Sequence, residues 1–350
     1  MVGNTAGPVF CPQPPTTLAF ETQFASRGEG RRVCSTRAFR LSMSVPVDTF
    51  DVSVIVPTFN RAASLRRLIA SFDALSCNSI NAEILIVDNG STDNTPCLLA
   101  QATAECSKFS LKVLCEERRG KSNALNRGLS SARGKIIVIV DDDVVVHPQW
   151  LVKHAESYSR TSFDAMQGRV LPGVDLDGRP ANPDKLREYN IPVIDYGEEI
   201  RECRGLTGSN MSFKREVFAK VGWFDARLGP GAAGFSEDTQ YSIRIREAGF
   251  KIGYTPHAVV YHELSPTRYG REYNRQVEYR KGVSRSLYRA DSIFLRVFPN
   301  LAANCLRYAV YRFLGKTQKA YKTEGRIMKG WGYLAGKLSR RRFINFHREN

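Results

Sequence analysis

The sequence predicts an α/β fold whose core is a doubly wound, mostly parallel sheet, followed by a basic helical extension at the C-terminus. Short runs dominated by β-branched and aliphatic residues recur along the first half of the chain, as in strands buried on both faces. Segments with a helical spacing of apolar residues separate these runs, and that alternation favours parallel strands joined by helices. The extension is predicted because the positive charge concentrates near the end of the chain.

The first half of the chain has a regular order of predicted elements. A strand at 52–56 leads into a helix over 61–75, where apolar residues recur every three or four positions. The elements that follow alternate in the same way, with strands at 83–87, 111–114 and 136–140 and helices at 92–106 and 122–133. We expect Gly134 to cap the C-terminus of the last of these helices.

The second half is less regular. A stretch rich in Pro, Gly and Asp at 172–200 predicts surface loops, and a glycine-rich stretch at 228–236 predicts a mobile loop. The other predicted elements are helices at 214–221 and 237–248, the second closed by Gly249, and a last strand at 259–261.

The net charge of +16 over 350 residues by itself suggests a nucleic-acid or membrane partner. The charge is unevenly spread, because residues 264–350 hold 20 basic and 5 acidic side chains, whereas residues 43–263 hold 26 and 28. We therefore divide the chain into a disordered leader at 1–47, a globular domain at 48–265 and a basic amphipathic helical tail at 266–350.

Composition also indicates where the protein acts. Eight cysteines without a CxxC pair argue against a disulfide-stapled scaffold or a zinc finger, and are typical of reduced thiols in a cytoplasmic protein. The chain contains no stretch of about 18 uncharged apolar residues, so a membrane-spanning helix is not expected. Basic residues interleaved with aromatic ones in the tail suit a peripheral site on the cytoplasmic face of an anionic membrane. The alternative is a tail that packs on the body with its cations solvated.

Three adjacent carboxylates, Asp141, Asp142 and Asp143, follow the predicted strand at 136–140. Doubly wound sheets bind ligands beyond the carboxyl ends of their strands, where residues 57–60 and 88–90 should also meet. Carboxylate oxygens at such an edge suit a hard divalent cation whose shell is completed by phosphates. The alternative is a solvated acidic turn.

Two further clusters suit a nucleotide. Asp88, at the end of the second strand, can accept a ring N–H from a base, or it can be a turn-forming residue. Arg118, Arg119 and Lys121 precede a helix whose first turn holds Asn123, and cations beside a helix N-terminus favour phosphate oxygens. A solvated basic turn is the alternative.

Three more residues have two possible roles each. Glu237 and Asp238 open a helix, where the helix dipole alone favours acidic residues, so capping competes with a role as general base. His262, at a strand end, suits either a metal ligand or an ordinary partly buried histidine. No GxGxxG pattern follows the first strand, which argues against a dinucleotide fold, and the absence of a GxxxxGK[ST] pattern argues against a P-loop.

Taken together, these segments resemble an inverting family-2 glycosyltransferase with the GT-A fold, over about residues 51–265. The motifs of the first half are SVIVPTFNR (53–61), VDNGSTDNT (87–95), RRGKSNALNRGL (118–129) and DDDVVVHPQWL (141–151). Those of the second half are GLTGSNMSFKREVFAKVGWFD (205–225) and SEDTQYSIRIREAGF (236–250).

The resemblance implies a nucleotide-diphosphate sugar as donor, Mn²⁺ or Mg²⁺ as cofactor and a hydroxyl group as acceptor. The residues implied around the nucleotide sugar are Pro57, Thr58, Asn60, Asp88, Lys121, Asn123, Asp141 and Asp142. The implied metal ligands are Asp143, from the DXD motif, and His262. Gly208, Ser209, Asn210 and Trp223 would shape the sugar and acceptor pocket. Asp238 would be the catalytic base, with Glu237 as the alternative.

The implied reaction is a single displacement that inverts the anomeric carbon. No QxxRW-like element follows Asp238, which favours transfer of one sugar, for example in cell-surface glycan or glycolipid assembly, over processive synthesis. A nucleotidyltransferase is one alternative, although such enzymes usually have a glycine-rich basic loop near their start. The other is a non-catalytic binder of nucleic acid or anionic surfaces, and the chain has no recognisable nucleic-acid motif to favour it.

Overall fold

The computed structural model of the chain describes residues 50–76, 80–175, 193–265, 268 and 270–346. The predicted leader at 1–47 and most of the predicted loop at 172–200 lie outside the described residues. Within the described residues, the predicted α/β fold with a C-terminal helical extension is confirmed.

The first seven elements, four strands with three helices between them, alternate as the sequence predicts. The strands are β1 (Phe50–Thr58), β2 (Ala82–Asp88), β3 (Ser110–Cys115), β4 (Gly134–Ile139), β5 (Val144–Val146), β6 (Ala165–Asp175), β7 (Arg201–Glu202), β8 (Met211–Lys214) and β9 (Ile252–Leu264). The helices are α1 (Ala62–Asp73), α2 (Thr95–Glu105), α3 (Lys121–Ser131), α4 (Trp150–Ser159), α5 (Arg215–Val221), α6 (Glu237–Glu247), α7 (Arg271–Tyr288), α8 (Phe298–Phe313) and α9 (Thr317–Phe346). A π-helical turn, Ile293–Val297, precedes α8. The elements β5, β6, β7, β8 and α4 are additional to those that the sequence predicts.

The sheet has two halves that differ in strand direction. β3, β2, β1 and β4 lie side by side in this order and are all parallel, as the alternation of strands and helices predicts. β8 runs antiparallel to both β4 and β6, while β6 is parallel to β9. β5 and β7 pair antiparallel with β9. The sheet as a whole is therefore mixed, with the β-α-β units confined to its first half.

Apolar side chains cover both faces of the sheet, which is why β1 and β2 are aliphatic along most of their length. On one face, Val54 belongs to the same apolar cluster as Leu68 of α1. On the other face, Ile55 belongs to the same cluster as Leu125 of α3. This double burial fixes the strand ends that carry the polar residues of the site.

Gly134 begins β4 rather than capping α3, so that prediction is wrong. Helix α3 ends at Ser131, and the N–H of Ala132 donates to the Gly128 carbonyl at 2.9 Å. A Cβ on Gly134 would lie 2.4 Å from the backbone nitrogen of Ser53 in β1. The glycine therefore allows two strands to approach closely and does not end a helix.

Strand β9 is longer than predicted, with 13 residues instead of the span 259–261. The first part of β9 is not predicted from the sequence because it contains Pro256, and proline is normally excluded from central strands. The register with β6 jumps at this point, from Thr255 opposite Gly168 to Val259 opposite Arg169. A bulge thus accommodates the proline within a continuous strand.

Two strand registers bring the acidic segments together. Thr58 of β1 lies opposite Asp88 of β2, and Val144 of β5 lies opposite His262 of β9. Asp143 directly precedes β5, so its side chain comes beside the end of β9. The ends of β1, β2, β4 and β9 therefore form one polar edge.

The helical extension is closely packed. A Cβ on Gly332 of α9 would lie 1.9 Å from the carbonyl oxygen of Tyr279 in α7, and one on Gly282 would lie 2.1 Å from that of Lys329. The two helices are therefore in backbone contact at these glycines. In the part of the chain that the structure describes, every helix is too short or too polar to span a bilayer.

Candidate active site

A cleft of about 310 Å³ opens at the carboxyl ends of β1 and β4, where the fold predicts a ligand. The residues that line it are Pro57, Thr58, Phe59, Arg61, Asn89, Arg119, Gly120, Lys121, Ala124, Asp141, Asp142, Asp143, Pro230, Gly231 and Arg268. Six of the predicted nucleotide-sugar and metal residues are among them. These are Pro57, Thr58, Lys121 and the three aspartates.

Asp143 is buried and has three basic side chains around its carboxylate. Nη2 of Arg268 lies 2.7 Å and Nη1 of Arg61 lies 3.3 Å from its Oδ2. Nε2 of His262 lies 3.4 Å from its Oδ1. Burial alone raises the pKa of Asp143, but the three basic neighbours outweigh burial and hold that pKa at about 2. Asp143 therefore carries its negative charge at neutral pH.

Asp142 contacts a hydroxyl group rather than a cation. The Thr58 hydroxyl donates to Oδ2 of Asp142 at 2.7 Å, which ties the end of β1 to the acidic segment. Burial, together with the neighbouring charge of Asp143, raises the pKa of Asp142 to about 7. The pKa values of the two adjacent carboxylates thus shift in opposite directions because Asp143 has basic partners and Asp142 has a hydroxyl partner.

Lys121 links acidic groups from two elements. Its Nζ contacts Oδ1 of Asp141 and lies 3.5 Å from Oε1 of Glu237. Burial disfavours the ammonium charge, but the two carboxylates outweigh burial and hold the pKa of Lys121 above its usual value. Gly208 makes room for the ammonium group, since a Cβ there would lie 2.9 Å from Nζ. Lys121 is therefore a fixed positive charge at the cleft.

The two acidic residues that begin α6 have different surroundings. Glu237 is buried beside Lys121, and burial raises the pKa of Glu237 to about 7. Asp238 is only half-buried, and its Oδ2 accepts the N–H of Gly208 at 3.2 Å. Ser236 has φ 75°, a strained conformation for serine that places both acidic residues at the helix start. Of the pair, Asp238 has the more accessible carboxylate.

The glycine-rich loop at 228–236 packs on the start of α3. The Pro230 carbonyl accepts the N–H of Lys121 at 2.9 Å. The Ser122 hydroxyl donates to the Leu228 carbonyl at 2.8 Å. These contacts connect the segment before α6 to the lysine of the cleft.

Asp88 and Asn60, which the resemblance places near the nucleotide, organise the turn after β2. Oδ1 of Asp88 accepts the N–H of Ser91 at 3.0 Å, as in an Asx turn. Oδ1 of Asn60 accepts the N–H of Thr92 at 2.7 Å. Neither residue lines the cleft, so their contacts with a nucleotide stay predictions.

Asn89 lines the cleft, at the strand end where the sequence places residues 88–90, although the sequence predicts no role for its side chain. Its Oδ1 accepts the N–H of Gly120 at 2.8 Å, and its Nδ2 donates to the Glu116 and Arg118 carbonyls at 2.7 and 2.9 Å. These bonds hold the segment before α3 against the end of β2. Its place directly after Asp88, at a strand end, was the available signal.

The predicted basic cluster divides between the cleft and solvent. Arg118 is exposed and forms an ion pair with Glu116 at 2.9 Å. The Arg119 guanidinium lies over the Phe59 ring, 4.6 Å from its centroid, and lines the cleft. Nδ2 of Asn123 donates to the Arg119 carbonyl at 2.9 Å. Asn123 therefore steadies this segment, and its contact with the donor stays a prediction.

The Asn210 side chain is fully buried and makes its hydrogen bonds inside the core, and its contact with a sugar stays a prediction. Its Oδ1 accepts Nε1–H of Trp150 at 2.8 Å and lies 2.9 Å from Nε2 of His154. Its Nδ2 donates to the Arg169 and Ala258 carbonyls at 2.9 and 2.8 Å. Asn210 thus joins α4 to β6 and β9.

Ser209 and Trp223 also lie away from the side chains that line the cleft. Ser209 is fully buried, whereas Trp223 is 50% exposed and packs edge-on against Phe218 of α5. Their contacts with a sugar or an acceptor stay predictions. Gly208 is the member of this predicted set that contacts the site, through Lys121 and Asp238.

Arg61 and Arg268 are cations of the cleft that sequence reasoning missed. Arg61 directly follows the segment at 57–60, so its position at the strand edge could have been inferred. Arg268 lies just beyond the predicted domain end at 265, and only the tertiary structure brings it to Asp143. The cleft therefore includes a residue of the predicted tail.

The residues around Asp143 fit a divalent cation that a substrate completes. Among the residues that the structure describes, no group of three or more His, Cys, Asp or Glu is arranged to hold a metal. Asp143 and His262 do converge, and a carboxylate with an imidazole suits Mn²⁺. A cation with few protein ligands fills its remaining positions with water and substrate phosphates.

Comparison with known proteins identifies relatives of this chain. The family model "Glycosyl transferase family 2" matches residues 53–222. Glycosyltransferase AglE of Haloferax volcanii is 26% identical over 246 residues, which is 70% of this chain and 76% of that protein. Glucosyl-dolichyl phosphate glucuronosyltransferase of the same organism is 29% identical over 158 residues, 43% of this chain and 49% of that protein. Dolichol-phosphate mannosyltransferase of Pyrococcus furiosus is 32% identical over 172 residues, 49% of this chain and 48% of that protein.

The chain thus spans about half the length of the second and third of these relatives. Among solved structures, the mannosyltransferase PcManGT of Pyrobaculum calidifontis superposes with a TM-score of 0.56 at 20% identity. The superposition covers 84% of this chain and 89% of that one, which shows a shared fold. Over residues 53–222 the chain therefore matches glycosyltransferase family 2, and its fold is the GT-A fold of such enzymes.

Proposed function

We propose that this protein transfers one sugar from a nucleotide-diphosphate sugar to an acceptor hydroxyl, with inversion at the anomeric carbon. The observation that carries the proposal is that Asp143 and Lys121 line one cleft, while the half-buried carboxylate of Asp238 lies beside it, bonded to Gly208 next to the Lys121 ammonium group. A transferase of this kind needs a site for the leaving diphosphate and a base for the acceptor. The cleft offers cations for the first task, and the adjoining Asp238 offers a carboxylate for the second.

Positive charge in the cleft supports a diphosphate ligand. The basic side chains that line it are Arg61, Arg119, Lys121 and Arg268. Lys121 stands at the N-terminus of α3, where backbone dipoles add to its charge. PcManGT, which shares the fold, is described in complex with GDP-Man and Mn²⁺. We infer that the donor diphosphate binds here and that Thr58 and Asp142 border its nucleotide.

Asp143 and His262 are the residues that would hold Mn²⁺ or Mg²⁺. A divalent cation at this place supplies charge neutralisation for the departing diphosphate. Lys121 would also neutralise charge on the departing diphosphate, because Asp141 and Glu237 hold its ammonium group at the cleft. The negative charge that develops on the leaving group thus meets a cation fixed before the reaction.

Asp238 is the proposed catalytic base. It takes the proton of the acceptor hydroxyl while the hydroxyl oxygen bonds to the anomeric carbon, and the bond from that carbon to the diphosphate breaks. The N–H of Gly208 donates to Oδ2 and the N–H of Thr239 donates to Oδ1, so both oxygens of the carboxylate are oriented by the backbone, and the acceptor would use a remaining lone pair. Glu237 is the weaker candidate because it is buried and paired with Lys121.

A lipid-linked acceptor is the substrate class that the relatives favour. Two of them are named for transfer to or from dolichyl phosphate carriers. We propose that this protein acts on a lipid-linked acceptor from a peripheral position on the cytoplasmic face of a membrane. The helical extension supplies the positive charge for such a position.

A donor screen tests the proposal. The melting temperature of the full chain would be measured with UDP-, GDP-, TDP- and CMP-sugars, with and without Mn²⁺. We expect one nucleoside diphosphate sugar to raise the melting temperature, and to do so more strongly with Mn²⁺ than without it. Stabilisation by none of these donors, with or without the metal, would contradict the proposal.

A further inference from the structure

The outer face of α8 is apolar and exposed. Its residues are Phe298, Ala302, Leu306, Ala309, Val310 and Phe313, all of them exposed, and we refer to them as the α8 face. Leu306 is 69% exposed and Phe313 is 91% exposed. Their helical spacing places them on one stripe along the helix. Large apolar side chains are seldom left in water in such a row, which points to a ligand or partner.

The opposite side of α8 accounts for the packing of the helix. Leu301 and Asn304 are buried, and the side chain of Leu301 lies against Gly330 of α9. The helix is therefore held to the extension by its inner side alone. Packing within the extension leaves the α8 face uncovered among the described residues.

The turn before α8 enlarges the apolar surface. Phe294 and Leu295 in the π-helical turn are 79% and 86% exposed. The Phe294 ring lies 5.9 Å from the Phe298 ring, so the turn and the α8 face are continuous. Aromatic and aliphatic side chains of this kind are typical of helices that lie in a membrane interface.

The charge around the α8 face identifies its partner. Residues 292–323 contain six basic side chains and no acidic one, and of these cations Arg296 pairs with Asp291 at 3.0 Å, so this segment has a net positive charge. Arg307 and Arg312 flank the apolar stripe, where their aliphatic stems can lie along apolar surface and their charges can reach phosphates. A second copy of this chain would bring like charges to the same face. An anionic lipid surface complements both the charge and the apolarity.

We propose that the α8 face, together with the turn before it, inserts into the headgroup and acyl boundary of an anionic bilayer and docks the protein on it. The inference rests on the proposed function in one respect. The purpose of docking would be to bring the cleft to a lipid-linked acceptor. Docking itself is a property of α8 and does not require the chemistry of the cleft.

Vesicle co-sedimentation of the full chain tests the proposal with two pairs of substitutions. Leu306→Gln with Phe313→Gln removes apolarity, and Arg307→Gln with Arg312→Gln removes charge. The matched controls are Val193→Gln and Arg160→Gln, which change an exposed apolar and an exposed basic side chain of the body. Vesicles of phosphatidylcholine alone would be compared with vesicles that also contain phosphatidylglycerol, at moderate salt.

We expect the wild-type chain and both controls to bind the anionic vesicles and to ignore the neutral ones. Each double variant should bind about tenfold more weakly or worse. Unchanged binding by both double variants would overturn the proposal. So would a wild-type chain that ignores anionic vesicles and forms a dimer dissociated by the apolar double variant, because the α8 face would then join two copies.

Donor hydrolysis in the absence of vesicles separates this inference from the proposed function. All variants should hydrolyse the donor at the wild-type rate, because none of the substituted residues lines the cleft. A wild-type chain that binds vesicles but hydrolyses no donor would contradict the proposed function and leave the docking inference standing. A wild-type chain that hydrolyses a donor but does not bind anionic vesicles would contradict the docking inference alone.

Discussion

The guanidinium group of Arg268 lies 2.7 Å from Oδ2 of Asp143, the carboxylate that the family resemblance assigns to a metal. Arg61 reaches the same oxygen at 3.3 Å. A guanidinium and a divalent cation compete for one carboxylate oxygen, since both neutralise the same charge. Arg268 must therefore give way, at least in part, when Asp143 takes a cation through Oδ2.

Removing this arginine should strengthen metal binding to the nucleotide-free protein. We expect Arg268→Gln to bind Mn²⁺ about tenfold more tightly than the wild type, because Asp143 loses a competing positive charge. Titration followed by the electron paramagnetic resonance signal of free Mn²⁺ measures the affinity. Arg119→Gln is the matched control, since Arg119 lines the same cleft but lies over Phe59. Weaker Mn²⁺ binding by Arg268→Gln would show that the arginine assists the metal.

The contact between α7 and α9 predicts that two glycines of α9 respond in opposite ways to the same substitution. Gly332→Ala should destabilise the protein by about 1–3 kcal/mol, because the new methyl group would overlap the Tyr279 carbonyl. Gly325→Ala meets only the flexible side chains of Glu278 and Asn274, so helix propensity should leave stability unchanged or raise it by up to about 1 kcal/mol. Urea denaturation measures both. Equal effects of the two substitutions would contradict the close packing.

His154 predicts a loss of stability in acid. Burial lowers the pKa of His154 to about 4, against an ordinary value of 6.5. The unfolded chain therefore takes up a proton at a higher pH than the native protein does. The contribution of His154 to stability is complete above about pH 6.5 and is lost as pH falls toward 4, by up to about 3 kcal/mol.

The comparison that isolates this effect is wild type against His154→Gln. Asp142 and Glu237 have raised pKa values, so their contributions act in the opposite direction near this pH range and are common to both proteins. We expect the difference in unfolding free energy between the two proteins to shrink from pH 7 to pH 4.5. A difference independent of pH would show that His154 does not titrate in this range.

The sequence predicts β1 to β4 and the three helices between them, because these strands are long enough and apolar enough to be recognised, whereas β5, β6, β8 and α4 are not among its predictions. The run that becomes β1 and the run that becomes β4 are examples, and the polar segments after them meet as expected. Strand β9 shows the limit, since Pro256 conceals a bulge that only pairing with β6 can form. Gly134 shows another limit, because a glycine that lets two strands approach closely and a glycine that ends a helix look alike in sequence.

The site is predicted in part for the same reason. Three adjacent aspartates at the end of a buried strand are not expected in an apolar core, so Asp141 to Asp143 can be recognised as ligand-binding candidates from the sequence. Asn210 also lies in a motif of the family, yet its side chain bonds to Trp150 and His154 in the core. No local sequence pattern distinguishes a polar residue that faces a ligand from one that bonds inside the core. Arg268 could not be placed at all, because its contact with Asp143 joins positions 125 residues apart.

The two acidic residues of α6 predict different losses on neutral substitution. Asp238→Asn should reduce turnover by about 10²–10⁴-fold, because the acceptor loses its base while the amide oxygen can still accept one of the two backbone N–H groups, of Gly208 and Thr239, that bind the carboxylate. Glu237→Gln should cost about tenfold, since Lys121 keeps its contact with Asp141. Comparable losses in the two variants would reopen the assignment of the base.

The most direct test measures donor affinity and turnover on the same preparation of Asp238→Asn. Calorimetry would use the nucleotide sugar that the screen identifies, and turnover would be followed as release of the nucleoside diphosphate. We predict a dissociation constant within about threefold of the wild type, together with turnover reduced at least about 10²-fold. Turnover that survives the substitution, or donor affinity that falls in parallel with turnover, would contradict the role of Asp238 as the base.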